Sequence, residues 1–117
     1  MPFYLYKSNR KDKKFVMVMP EFGHLHHFGS RNMRDYTLIN DKNSKFYIPD
    51  ESERERVKKA YRARHRKDNI DDVHSAGALS WHILWSEPSL KGGIKAYSKR
   101  FGVVVVDRTD QVYYNKR

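Results

Sequence analysis

The chain reads as an α+β domain: two or three helices packed on a small antiparallel sheet or β-hairpin. Three features predict this. Aromatic and β-branched runs flank a basic turn near the start, a capped and charge-graded helix lies in the middle, and a four-apolar helical face precedes four consecutive valines near the end. A length of 117 residues leaves room for one domain. We divide it into a hairpin (1–19), a long loop (20–49), a helical core (50–102) and a C-terminal strand or tail (103–117).

Phe3-Tyr4-Leu5-Tyr6 and Phe15-Val16-Met17-Val18-Met19 suit a pleated surface, and the Asn9/Asp12 segment between them suits a turn. The hairpin so formed has a basic tip and needs a further strand or helix against it, because a lone hairpin is marginal in water. Pro20 and Gly23 end the pattern, and residues 21–43 show no period. That stretch reads as a loop packed under its own aromatics or held by a partner. Residues 45–48 form a short extended piece ended by Pro49.

Asp50 caps a helix over 51–67, with Glu53 placed as in a capping box. Acidic residues fill its first turns and basic ones its last, in accord with the helix dipole. Its apolar face is thin: Val57, Ala60, Tyr61 and the stem of Arg64. Ser75 caps a second helix running to about Trp85, the most apolar stretch of the chain. A third helix starts near Ser86 or Ser89, carries Leu90, Ile94, Tyr97 and Phe101 on one face, and stops at Gly102. Residues 103–106 read as a buried strand, with 112–114 returning beside it after a turn at 107–110. The expected core is Leu79, Trp81, Ile83, Leu84, Leu90, Ile94 and Phe101.

Several residues in this order carry a resemblance: His27-Phe28-Gly29-Ser30, Asp35-Tyr36-Thr37, Tyr61, Arg64-His65, Ala76-Gly77, Ser80-Trp81, Ile83-Leu84-Trp85, Pro88-Ser89-Leu90 and Arg100-Phe101-Gly102. The chain resembles a small protein family of nucleocytoplasmic large DNA viruses, the giant viruses and their relatives, over roughly residues 27–102. It departs from that pattern between Thr37 and Tyr61, where residues 39–50 read as an insertion. The resemblance implies a viral setting and carries over no catalytic residue. A small basic cysteine-free protein of such a virus fits a virion component, among them the minor capsid proteins that line the inner face of the shell.

The net charge is +10, from 24 Lys and Arg against 14 Asp and Glu, and there is no Cys. The absence of Cys excludes disulfides, thiolate metal sites and cysteine nucleophiles, and suits a reducing compartment. An aromatic content of 14% argues against a disordered chain. The longest apolar run, 103–106, is far short of a membrane span, and the N-terminus lacks the pattern of a signal peptide.

Candidate partner- or phosphate-binding residues are Arg10, Lys11, Lys13 and Lys14 at the hairpin tip. Arg54, Lys58, Arg62 and Arg66 join them, as a stripe at four-residue spacing on the first long helix. The competing reading is a solvated helix face.

Histidines 24, 26 and 27 could offer imidazoles to a metal, with further ligands from His65, His74, His82 or a carboxylate. The expectation is instead that they bond backbone carbonyls or face water, so no metal and no cofactor is assigned. His27, Asp35 and His65 are expected to pin the long loop onto the first long helix; they are also the least implausible acid–base trio. Trp81, Trp85, Tyr97 and Phe101 have core spacing. Tyr4, Tyr6, Tyr113 and Tyr114 suit contacts with partners, with the hairpin or the last strand adding to a neighbour's sheet. No Gly-x-x-x-x-Gly-Lys and no Gly-x-Ser-x-Gly occurs.

The expectation is a non-enzymatic minor capsid protein inside a virion. It would bridge protein neighbours, take no small-molecule substrate and have no transmembrane segment. The alternative is a nucleic-acid-binding protein, for DNA packaging or ribosomal-type RNA binding.

Overall fold

The computed structural model describes residues 1–114; the last three residues of the expected 103–117 tail lie outside the described residues. The hairpin forms as expected, from β1 (Phe3–Lys7) and β2 (Lys13–Met19), paired antiparallel with Leu5 opposite Met17. A 3-10 turn at Pro20–Phe22 and a left-handed Gly23 (φ 63°) send the chain back along β2 as β3 (His24–Ser30). After four helical stretches the chain returns as β4 (Val105–Val112), parallel to β1. The strand order is β3-β2-β1-β4.

The domain is thus α+β, and its sheet is mixed rather than antiparallel. The helices intervene between β3 and β4, and a crossover of that length can deliver a parallel strand that no hairpin could. The long loop expected over 21–43 contains β3 and a one-turn helix, α1 (Tyr36–Ile39). The expected C-terminal hairpin is one continuous strand. Its register jumps between Tyr6, opposite Arg108, and Lys7, opposite Val112, so that residues 109–111 are left over as a bulge. Residues 45–48 form no strand. Phe46 and Ile48 pack on the core instead, and the Ile48 N–H donates to the Ile39 carbonyl at 3.0 Å.

Each helix is stopped and started by its own sequence. Asp50 accepts from the Ser52 N–H (3.0 Å) at the start of α2 (Glu51–His65), while Glu53 pairs with Arg56 instead of closing a capping box. Ser75 accepts from the Ala78 N–H (2.9 Å) and opens α3 (Ala76–Leu79), which widens into a π-helical turn over Ser80–Leu84. Ser89 caps α4 (Leu90–Phe101), and Gly102 (φ 64°) ends it in the left-handed conformation.

The sheet has two unlike faces. Phe3, Leu5, Met17, Met19 and Phe28 point to one side and meet Leu79, Ile83, Leu84, Ile94 and Tyr97 in a single buried cluster. Of the expected core, Trp81, Leu90 and Phe101 are only partly buried. By register, Tyr4, Tyr6, Val16, Val18, Leu25, His27 and Val106 share the opposite side. None of these seven belongs to the cluster that the helices build. Val16 is buried among its neighbours, Tyr4, Tyr6, Val18 and His27 are half-buried, and Leu25 is exposed.

Close approach of α4 to the π-helical turn depends on Gly93. An added methyl there would overlap the Ile83 carbonyl oxygen, which is backbone and cannot rotate away. Gly93→Ala is therefore expected to cost about 3 kcal/mol in urea denaturation. Gly102→Ala, which meets no atom and strains only its own φ, should cost about 1–2 kcal/mol.

Candidate functional site

The hairpin tip is basic and ordered. Arg10 and Lys11 are exposed, Lys13 half-exposed, and Arg10 makes a surface pair with Asp12 at 3.4 Å. What holds this tip is Arg31, which the sequence reading passed over. Its guanidinium donates to the carbonyls of Ser8 (3.2 Å), Arg10 (2.9 Å) and Lys13 (2.9 Å), bracing the turn from β3. Five donors in a rigid fork suit arginine to gathering several carbonyls at once.

Lys14 does not belong to the outward basic set. Its ammonium is largely buried and donates to the Asp35 carboxylate and to the Met33 carbonyl, both at 2.7 Å. The stripe on α2 needs the same correction. Arg54 donates to the Ile48 (2.6 Å) and Pro49 (3.1 Å) carbonyls. Lys58 donates to the Ser86 carbonyl (2.8 Å) and lies 4.5 Å from the centre of the Tyr36 ring. Arg62 stacks over Trp81 at 4.5 Å. Four-residue spacing put these cations on one face of the helix, and that face is turned toward the rest of the chain. Long aliphatic stems let such cations lie against the chain, the heads of Arg54 and Lys58 on loop carbonyls and that of Arg62 on an aromatic ring. Of the stripe, Arg66 remains exposed. Burial is the main reason that the Lys58 ammonium is held below its ordinary range, with Arg62 adding to it.

The three expected pinning residues do different jobs. Asp35 is the pin. Its buried carboxylate takes Lys14 from β2, the Thr37 hydroxyl (2.6 Å) and the Leu38 N–H (3.0 Å), capping α1 and fastening residues 31–40 to the hairpin. His27 lies in β3, away from α2, with its Nδ1 2.7 Å from the Ser8 hydroxyl. His65 bonds Asp68 at the end of its own helix (2.9 Å) and stacks on Tyr61. The loop is instead joined to α2 by Tyr36, whose phenol donates to Glu55. Burial and that bond push it up to about 12. The trio therefore belongs to three separate networks and assembles no acid–base relay. Asp71 and Asp72 diverge as well, one to Arg100 (2.6 Å), the other to the His74 N–H (2.9 Å).

Two further features emerge from the fold. A cleft of about 450 Å³ opens between β3 and the helices, and Phe28, Asp35, Tyr61, Arg64, Gly77 and Trp85 are among its walls. Residues scattered along the sequence thus meet at one place. Tyr61 stacks on Trp85 with rings 4.1 Å apart and nearly parallel. Separately, His24 and His26 on β3 meet His74 from the 68–75 loop, with ligand atoms within 4.8 Å of one another. Among the described residues His26 Nε2 and His74 Nδ1 are buried without a hydrogen-bond partner, contrary to the expectation of solvated or carbonyl-bonded rings.

With this geometry in view, the chain can be set beside known proteins. Residues 4–47 match a family described as a family of unknown function (DUF5754). No curated protein sequence and no solved structure matches the chain. The matched segment holds β1, β2, β3 and α1, so it includes the hairpin, the Asp35 pin and Arg31. No helix among the described residues is long and apolar enough to cross a membrane.

Two outcomes follow from these contacts. Asp35→Ala removes one half of a buried ion pair and should cost about 3–5 kcal/mol in urea denaturation. Arg10→Ala at the exposed pair should stay within about 0.5 kcal/mol.

A third concerns His82, whose Nε2 lies 2.9 Å from the Ile70 carbonyl. Burial, then Arg100 and Arg62, lowers its pKa from 6.5, against opposing contributions from the Ile70 carbonyl and Asp71. The unfolded chain therefore takes up this proton first as pH falls, so the contribution is complete above 6.5 and is lost below it. Urea midpoints should fall between about pH 7.5 and 5.5. His82→Gln should shrink that fall, and an undiminished fall in the variant would contradict the assignment.

Proposed function

We propose that the chain is a non-enzymatic component of a large assembly, a minor capsid protein of a large DNA virus that bridges neighbouring subunits within the virion. The observation that carries this reading is the sheet face bearing Tyr4, Tyr6, Val18 and Leu25, which lies outside the cluster the helices build. A face of half-buried tyrosines with Leu25 exposed beside them offers the large apolar area with polar tips that protein interfaces use. The edges add to it. β1 and β2 are both interior strands, so sheet addition falls to β4 or β3, and Val112 and Tyr114 are exposed at the β4 end.

Charge supports the same reading. Among the described residues, Arg10, Lys14, Arg56 and Arg100 are the Lys and Arg side chains that form ion pairs with carboxylates. Exposed cations such as Lys11 and Arg66 are left for acidic groups of neighbours to match. An elongated body of 45 × 27 × 21 Å suits a wedge between larger subunits.

A second reading, nucleic-acid binding, is favoured by the tip alone, where Lys7, Arg10, Lys11 and Arg31 surround one shallow concavity. The two readings separate in one experiment. Shells treated with nuclease and washed in high salt should retain the protein, and Tyr4→Asp/Tyr6→Asp should reduce its incorporation by about tenfold or more. Release by that wash, together with nucleic-acid affinity that falls steeply between about 50 and 200 mM salt, would replace the capsid reading by the second.

A further inference from the structure

We propose that His24, His26 and His74 form a mononuclear transition-metal site of the zinc class, which staples the free edge of the sheet to the 68–75 loop. The proposal is independent of any assembly role. It rests on convergence, preorganisation and unmet bonding.

The convergence is between residues 50 positions apart in sequence. His24 and His26 sit two apart on β3, opposite Met19 and Met17, so both rings project to the helix side of the sheet. His74 approaches them from the loop. Ring centres are 5.5 Å apart for His24–His26, 5.3 Å for His24–His74 and 6.3 Å for His26–His74. Three imidazoles bound tetrahedrally at Zn–N of about 2.0–2.1 Å would have ring centres about 5 Å apart. Ligand atoms within 4.8 Å of one another reach that arrangement by small side-chain rotations.

The loop that carries His74 is fixed by bonds of its own. Asp72 accepts the His74 N–H (2.9 Å), the Tyr97 hydroxyl donates to the Val73 carbonyl (2.9 Å), and the Ser75 hydroxyl donates to the Asn69 carbonyl (2.5 Å). The ring of Phe22 stands edge-on to His74 at 4.5 Å and walls one side. The site is therefore built before a metal arrives. Leaving His26 Nε2 and His74 Nδ1 buried and unpartnered is unfavourable, and a cation between them supplies what no donor or acceptor among the described residues does.

The donor set selects the metal. Three neutral imidazoles suit Zn²⁺, Co²⁺, Ni²⁺ or Cu²⁺, whereas Mg²⁺ and Ca²⁺ prefer oxygen. The chain supplies three ligands, which leaves a fourth position for water.

The test uses the full, untagged chain stripped by a chelator. Titration with Zn²⁺ by calorimetry, and with Co²⁺ by its visible absorption, should give one equivalent per chain with the spectrum of a four-coordinate nitrogen site. His74→Gln should lose affinity by about a hundredfold or more. His24 is exposed, so His24→Gln leaves the fold intact and should show a comparable loss even if His74→Gln fails to fold. His65→Gln, outside the cluster, should bind as the native chain does. Binding of less than one equivalent by the native chain would overturn the proposal. So would equal binding by His24→Gln, or an equal loss in His65→Gln.

Discussion

One constraint shapes this molecule: it builds a four-stranded sheet but has helices enough for one of its faces. The helices of this chain join a single cluster on one side of the sheet, and a small domain keeps much of its surface wet. The helical half of the sequence therefore packs on Phe3, Leu5, Met17, Met19 and Phe28, and the tyrosines and valines of alternate positions are left on the other side. Strand periodicity makes the two sets inseparable, because residues that fill the core at odd positions of β1 fix what even positions present. Arg108 is drawn to that outer face. Its guanidinium lies 4.8 Å from the Tyr4 ring centre and donates to the Tyr6 hydroxyl at 3.2 Å.

The cations divide into two populations with different physics. Lys14, Arg54, Lys58 and Arg62 act inside the chain, where long stems cover apolar surface and charged heads meet carbonyls, a carboxylate or an aromatic ring. They take the place of a larger apolar core between α2 and its surroundings, where Val57 and Tyr61 are the buried residues of the helix. Arg10, Lys11 and Arg66 remain outside. A net charge read from composition counts both populations, so the surface is less uniformly basic than +10 suggests.

Local signals in the sequence were legible where local physics decides. The hairpin, the start of α2 at Asp50, the Ser75 and Ser89 caps and the stop at Gly102 all follow from neighbouring residues. β3 was hidden because His24-Leu25-His26-His27 lacks the β-branched character of a strand, and Gly29 (φ 76°) breaks its regularity. β4 was split because Asp107, Thr109 and Asp110 look like a turn, whereas an edge strand in solvent tolerates them. Four-residue spacing placed the α2 cations together but could not say which way the face looks. Asp35 was visible as a pin, yet its partner Lys14 was assigned to partner or phosphate binding. The meeting of His74 with His24 and His26 depends on topology alone, and no spacing in the sequence encodes it.

On the proposed assembly role the outer sheet face is the surface that neighbours cover, and its environment can be read directly. Hydroxyl-radical footprinting compares the oxidation of Tyr4 and Tyr6 in the isolated chain with that in intact virus particles, with exposed Met33 as internal reference. The account predicts that both tyrosines become protected several-fold in particles relative to Met33. Equal oxidation in the two settings would show that nothing covers this face, and would contradict it.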